Sequence, residues 1–412
     1  MLKNKKLKNI AVVMENIEYG GVTTHLINLI NSNKFKKNNF IIITNNENKA
    51  VKQIIKACSK EKVNFFFYNS IVVKIFKTRV VQGIFSLFKP FFFFISIAQM
   101  YLIIKKVKFD ILLANCGGYG DFRSELSSLI AAKLMGKKNL YLLIHHCYSK
   151  PFLWSKTISY FISYIIGNIV NGVIFVSRAT KNSIKLKTKL LSNKTKNIII
   201  HNGVFLRNFN KEKLSAFHTK KNVIKIGMLC RIEKYKGHGD LIKGFSKIPK
   251  GIKDKYKIFF VGSGSDIEKK HLKEKFSSIK LNKYFEVVDY IKKDSLVILN
   301  NFDLFFSLTR DFEGFGYSIA ESLYVGTPVV STKVGGVTEF LSNNNSNLIK
   351  PKDIKGISEL LLSFYKNRKK FKKKSIIGKK LIIKEFNSNV MAKKYFNYFV
   401  KDFKLNHYEK IQ

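Results

Sequence analysis

Acidic residues are scarce in this sequence. Its 412 residues hold 27 Asp and Glu against 75 Lys and Arg, a formal charge of +48. Three readings of that balance stay open: an AT-rich coding composition, an anionic membrane, which attracts each well-placed basic side chain by about 1 kcal/mol, and nucleic acid. Against specific nucleic-acid recognition, the lysines are spread along the chain, and there is no RNP-type aromatic motif, zinc-finger spacing or basic zipper. Cysteine is rare as well. Cys58, Cys116, Cys147 and Cys230 are isolated, with no Cys-x-x-Cys pair and no histidine at metal-ligand spacing, which suits a reducing cytoplasm. No Asp-x-Asp pair stands ready to hold a divalent cation on a phosphorylated ligand, so no metal and no cofactor are expected.

Long apolar runs are also missing. Ile10 to Met14 ends at Glu15 and is too short for a signal peptide. The run PFFFFISIAQMYLII between Lys89 and Lys105 falls short of the ~20 residues a spanning helix needs. Val80 to Ile104, with Lys74, Lys77, Arg79 and Lys89 nearby, therefore has two readings: an interfacial helix with basic flanks, or a buried helix of the first domain. No repeat of solenoid period is present.

What the chain does have is alternation. Apolar strand runs at Ile10 to Met14, Asn39 to Thr44, Asn64 to Tyr68, Phe109 to Ala114, Leu140 to His145, Gly172 to Ser177 and Ile198 to Ile200 are separated by segments of helical spacing. After a polar linker, Arg207 to Asn222, a second series begins at Val223 and continues through Lys257 to Val261, Phe285 to Val288, Leu304 to Leu308 and Pro328 to Ser331. Strand–helix alternation of this kind predicts parallel, doubly wound α/β sheets, and the length suffices for two such domains, with ligands bound outside the strand ends in the cleft between them. The expected division is 1–206, 223–388 and a final helix, 389–412.

The most informative segment is EGFGYSIAE, Glu313 to Glu321. It follows an apolar run, turns at Gly314 and Gly316, and enters a helix from Tyr317 to Val325 that stops at Gly326-Thr327-Pro328. A helix entered through glycines offers free N–H groups and the positive dipole end, which suit phosphates. Glu313 before the helix and Glu321 inside it can address different parts of one extended ligand, such as sugar hydroxyls and ribose hydroxyls. The ordinary alternative is a helix with one glutamate near its N-terminus and a second on its solvated face. Upstream, Arg231 and Lys236 lie in the turn after the strand IGML, where a guanidinium fork and a movable ammonium can converge on one anion. Gly262-Ser263-Gly264 is a weak dinucleotide fingerprint, since Ile267 stands where the third glycine belongs.

Taken together, Arg231, Lys236-Gly237, the EGFG segment with its second glutamate, and PVVSTKVGGVTEFL resemble the retaining glycosyltransferases of family 4, which have the GT-B fold. The likeness extends over nearly the whole chain, through Gly20-Gly21-Val22, LLIHH at His145, NGVIFVSRATKNSI and HNGV. It implies retaining transfer of a sugar from a nucleotide-diphosphate sugar, in assembly of a bacterial surface polysaccharide; the basic charge paired with the apolar segment Val80 to Ile104 adds the expectation of a cytoplasmic protein peripheral on the inner face of the plasma membrane. By resemblance, Arg231 and Lys236 hold the donor diphosphate, Glu313 contacts the moving sugar and Glu321 the ribose. Gly314, Phe315, Gly316, Tyr317 and Gly21 complete the donor site. His145 joins Glu313, Arg231 and Lys236 as a candidate catalytic residue and, with His146, Ser177 and Arg178, as an acceptor contact.

Three departures stand out: Phe205 after the Asn-Gly-Val turn, SLTRDF in place of a proline-serine lead-in, and the Asn343 to Asn347 tract in place of a glycine-containing turn. The alternatives are a GT-B nucleotide-sugar epimerase, a soluble disaccharide synthase and, from another class, a basic nucleic-acid-binding protein. The apolar segment favours a glycan acceptor carried on lipid.

Overall fold

The structure, a computed structural model, describes residues 7–15, 19–70, 88–120, 123–149, 156–191, 195–289, 291 and 293–408. Lys74, Lys77, Arg79 and residues 80–87 of the apolar segment lie outside the described residues. The chain divides into two compact units, residues 1–205 with 388–412, and residues 206–387.

The first unit is built on a parallel sheet of β1 (Asn9–Met14), β2 (Asn39–Asn45), β3 (Val63–Tyr68), β4 (Ile111–Cys116), β5 (Leu140–Ile144), β6 (Gly172–Phe175) and β7 (Asn197–Ile199). Its order is β3-β2-β1-β4-β5-β6-β7, so the winding direction reverses between β1 and β4. The period of two sends alternate side chains to opposite faces. Ala11 and Val13 join the layer of α3 (Lys89–Lys105), α4 (Ser124–Leu134) and α5 (Lys156–Ile169). Ile10, Val12 and Met14 join the opposite layer, with α1 (Gly21–Ile30), α2 (Val51–Ala57) and the last helix, α14 (Ser388–Tyr408), which contributes Met391, Tyr395 and Phe399. The short helix α6 (Arg178–Lys185) follows β6.

Helix α3 has a buried and an exposed apolar side. Phe93, Met100 and Ile104 recur at core spacing and are buried, whereas Phe91, Phe94 and Leu102 on the other side are 60–64% exposed. Among the described residues, no helix is long and apolar enough to cross a membrane.

The second unit carries β8 (Ile224–Leu229), β9 (Tyr256–Val261), β10 (Phe285–Val288), β11 (Leu304–Ser307), β12 (Val329–Thr332) and β13 (Asn347–Ile349) in the order β10-β9-β8-β11-β12-β13, again parallel. Here the reversal lies between β8 and β11. Around it run α7 (His238–Ser246), α8 (Lys250–Lys253), α9 (Asp266–Ser277), α10 (Ser295–Asn300), α11 (Tyr317–Val325), α12 (Ile354–Lys366) and α13 (Arg368–Glu385). The stretch expected as a linker instead packs on this unit. Phe217 is buried against the rings of Phe259 and Phe302, and the Leu214 N–H donates to the Asn301 side chain at 3.1 Å. Its polar composition hides these few anchors. The asparagine tract before β13 builds a turn from its own amides: Asn345 bonds Ser342 and the Phe340 carbonyl, and Asn343 accepts from Leu348 N–H.

Candidate active site

The second unit concentrates the site residues at its switch point, because the loops after β8 and β11 emerge side by side there. After β8 the chain passes Arg231 and makes a tight turn, Lys234–Lys236, closed by Gly237 at φ 81°. A Cβ on Gly237 would strike the Leu308 carbonyl, so glycine is needed both for the left-handed conformation and for this close approach. The turn delivers the Lys236 ammonium to Glu313, 2.8 Å from Oε2, with Thr309 Oγ1 at 3.5 Å from the ammonium and 3.3 Å from the same carboxylate oxygen. Burial alone would lower the lysine's pKa. The Glu313 carboxylate, with Cys230 and Tyr235, overrides it and raises the pKa, so the ammonium stays charged.

Both loops are braced. The Arg310 guanidinium donates two hydrogen bonds to the buried Asp240 carboxylate of α7, at 2.8 and 2.6 Å, and its backbone N–H donates to the Tyr235 carbonyl at 2.8 Å. The Thr332 hydroxyl donates to the Thr309 carbonyl at 2.6 Å, and Gly336 N–H to the Glu313 carbonyl at 2.8 Å. Gly335, at φ 54°, lies so close beneath Glu313 that a Cβ would collide with the Glu313 carbonyl. Gly262 and Gly264 are packing glycines: a Cβ on the first would strike the Cys230 carbonyl and one on the second would crowd Ile232, the residues flanking Arg231. That contact, rather than a dinucleotide, accounts for the Gly-Ser-Gly motif.

Not every candidate converges on this pair. Arg231 is more than half exposed and turned toward Glu233, at 2.6 Å, and the Tyr235 hydroxyl, at 3.0 Å, not toward Glu313. Gly316, at φ 85°, precedes α11, whose first turn has no side-chain cap and no acidic residue of its own; the Glu313 side chain lies beside Gly316, near the positive end of the helix dipole. Gly314 and Phe315 are buried, Phe315 against the rings of Phe340 and Tyr317. Glu321 does not lie on a solvated face. It is 8% exposed, and burial pushes its carboxyl up to about 7, against the opposing pull of a Ser295 hydrogen bond and the Arg207 charge. Arg207 itself forks onto Asp294 at 2.8 and 2.6 Å.

In the first unit, His145 directly follows β5, with Nε2 2.8 Å from Asn115 Oδ1, and the His25 ring meets it edge to face at 4.8 Å. Burial, and then the neighbouring His25, hold its pKa well below the ordinary histidine value. His146 is partly exposed, with Nδ1 3.3 Å from Cys147 Sγ. Ser177 is fully buried, and its hydroxyl accepts from Thr180 N–H at 3.1 Å, so it is committed to capping α6, while Arg178 beside it is exposed. Gly20 is extended at φ −169°, a conformation any residue adopts, and the space where a Cβ would stand is open. α1 begins at Gly21 without a side-chain cap. Among the described residues, no group of three or more His, Cys, Asp or Glu side chains could hold a metal ion.

Residues 207–381, which contain every second-unit candidate, match the family described as glycosyl transferases group 1. An uncharacterized glycosyltransferase of Methanocaldococcus jannaschii is 26% identical over 321 residues, 74% of this chain and 79% of that protein. A solved glycosyltransferase from Rickettsia africae aligns with a TM-score of 0.72 at 20% identity, over 97% of this chain and 99% of that one. Anabaena HepE in complex with UDP aligns with a TM-score of 0.70 at 15% identity, over 96% and 100%. The fold is GT-B, and the matched domain supports a glycosyltransferase.

Reading the sequence alone missed Thr309, Thr332, Gly335, Asp240 and Arg310. One of them carries a signal: Gly335-Gly336 lies within PVVSTKVGGVTEFL, and a glycine pair after a strand marks a close backbone approach.

Proposed function

We propose that this protein is a retaining, metal-independent glycosyltransferase of family 4 that moves a sugar from a nucleotide-diphosphate sugar to a lipid-linked glycan, in assembly of a cell-surface polysaccharide. The observation that carries this reading is the Lys236–Glu313 pair beside the uncapped start of α11. Breaking a sugar–phosphate bond builds negative charge on the leaving diphosphate and positive charge on the sugar ring. A fixed ammonium and a helix start meet the first, a fixed carboxylate the second, and neither must reorganise as the charge develops. A bound donor takes Lys236 over from Glu313, and Arg231, half free in solvent, swings from Glu233 onto the diphosphate. Glu321 receives the ribose.

The complexes of the Anabaena neighbour with UDP and with UDP-glucose make uridine donors the first to try. The exposed apolar side of α3 supports a lipid-carried acceptor and a peripheral place on the inner membrane face.

The test is a thermal-shift and donor-hydrolysis screen against UDP-, GDP-, ADP- and dTDP-sugars, with and without EDTA, followed by NMR of the anomeric product. One base should stabilise the protein, hydrolysis should survive EDTA, and the configuration should be retained. A protein indifferent to every donor, activity that EDTA abolishes and Mg²⁺ restores, or an inverted product would each overturn the corresponding part.

A further inference from the structure

His145 is enclosed on every side that the structure describes except a sliver. It is 7% exposed, His25 of α1 meets its ring edge to face, and Tyr395 of α14 meets His25 in turn at 5.4 Å between ring centroids. His25 is fully buried and neither of its ring nitrogens has a hydrogen-bond partner, so it packs against His145 without exchanging a hydrogen bond with it. Among the described residues, the one directional contact to the His145 ring is from Asn115, near the end of β4, whose Oδ1 lies 2.8 Å from Nε2. Asn115 is itself fully buried, and its Nδ2 makes no hydrogen bond.

A neutral imidazole has one N–H and one lone pair. An amide oxygen only accepts, so the nitrogen it faces must carry the proton, and the other carries the lone pair. We infer that Asn115 is a positioning residue that locks His145 in the Nε2–H tautomer, so that Nδ1, the nitrogen left for a substrate, accepts a hydrogen bond and selects a hydroxyl over a phosphate or carboxylate. An anionic group brings only acceptors and would meet a lone pair; a sugar hydroxyl brings the proton that Nδ1 lacks. Burial keeps both rings uncharged, His25 at about 3 and His145 well below its ordinary value, so no imidazolium is available to attract an anion instead. The selectivity rests on the proposed role of His145 as a sugar or acceptor contact. The tautomer itself does not.

The deciding measurement is long-range ¹H–¹⁵N NMR on the full-length, ¹⁵N-histidine-labelled protein, which holds eight histidines, with His145 assigned by comparison with His145→Gln. Wild type should show one tautomer, with the proton on Nε2 and protected from exchange with water. Asn115→Leu should lose that protection, and Asn115→Asp, whose carboxylate can only accept, should restore it. The lock is overturned by a proton on Nδ1 in the wild-type protein, which is the result of the opposite amide orientation and needs no variant to fold. It is equally overturned if Asn115→Leu leaves the Nε2 proton as protected as before. Because these spectra need no donor, a protein that turns over no nucleotide sugar yet shows the locked tautomer defeats the transferase reading and not the lock. An active enzyme with the proton on Nδ1 defeats the lock alone.

Discussion

Lys236 and Glu313 neutralise each other in the free protein, and that economy decides what their removal should do. Glu313→Gln keeps the side-chain shape but removes the charge proposed to face the sugar; Lys236→Ala removes the ammonium proposed to face the diphosphate. Each should lower turnover by at least about 100-fold in a steady-state assay with the melting temperature little changed, since preorganised charge near a transition state is commonly worth that much. Near-wild-type turnover in either variant contradicts the assignment. Glu321 makes a different prediction. Its carboxyl titrates near 7 in the folded protein, above the unfolded value of 4.5, so between those values the folded state holds a proton that the unfolded state has released. Its contribution is intact below about pH 4.5 and is lost as pH rises to 7. Glu321→Gln, which never ionises, should therefore be more stable than wild type at pH 8 by about 1–3 kcal/mol and melt higher, with the gap closing near pH 5. If Glu321 also receives the ribose, the same variant binds nucleotide more weakly while melting higher. Equal melting curves at pH 8 would remove the buried-carboxyl account. The type and spacing of these residues were legible in the sequence, because glycines, a strand end and a helix start fix where Glu313 and Glu321 stand along the chain. Burial of Glu321 was not legible, since it depends on the packing of α11 against α10, which is remote in sequence and carries no local mark.

At the scale of elements, the site is a property of three loops held against one another. The β8 loop is pinned through Asp240 and Arg310, the β11 loop through Thr309 and Thr332, and the loop after β12 supports Glu313 from beneath through Gly335 and Gly336. Gly335→Ala tests this support without touching a charged group. Its positive φ disfavours a side chain, and the added Cβ meets the Glu313 carbonyl. The variant should melt lower and lose turnover together, whereas Gly251→Ala, in a helix with open space around it, should leave both unchanged. Full turnover in Gly335→Ala would mean that Glu313 does not depend on this support. The helix from Tyr317 to Val325 was read at its observed ends because Gly316 and Gly326 punctuate it. β13 escaped notice because three residues beginning with Asn carry no strand pattern, and the lead-in SLTRDF gave no hint that Arg310 would brace α7.

For the whole molecule, the strong positive charge and the exposed aromatic side of α3 act at different ranges. Net charge draws the chain toward anionic surfaces but fades over a Debye length of ~8 Å at physiological salt; apolar side chains act only on contact. Neither alone makes a stable anchor; reversible attachment takes two such signals together. The protein should therefore sediment with vesicles containing anionic lipid at low salt and leave them as salt rises. Substituting Phe91, Phe94 and Leu102 by Ser should abolish sedimentation with the fold intact, because these side chains are more than half exposed while Phe93 and Met100, which anchor the helix to the core, stay in place. Attachment that survives the triple substitution would mean that α3 is not the contact. Equal binding to vesicles without anionic lipid would mean that the charge of +48 reflects composition rather than selection for a membrane surface.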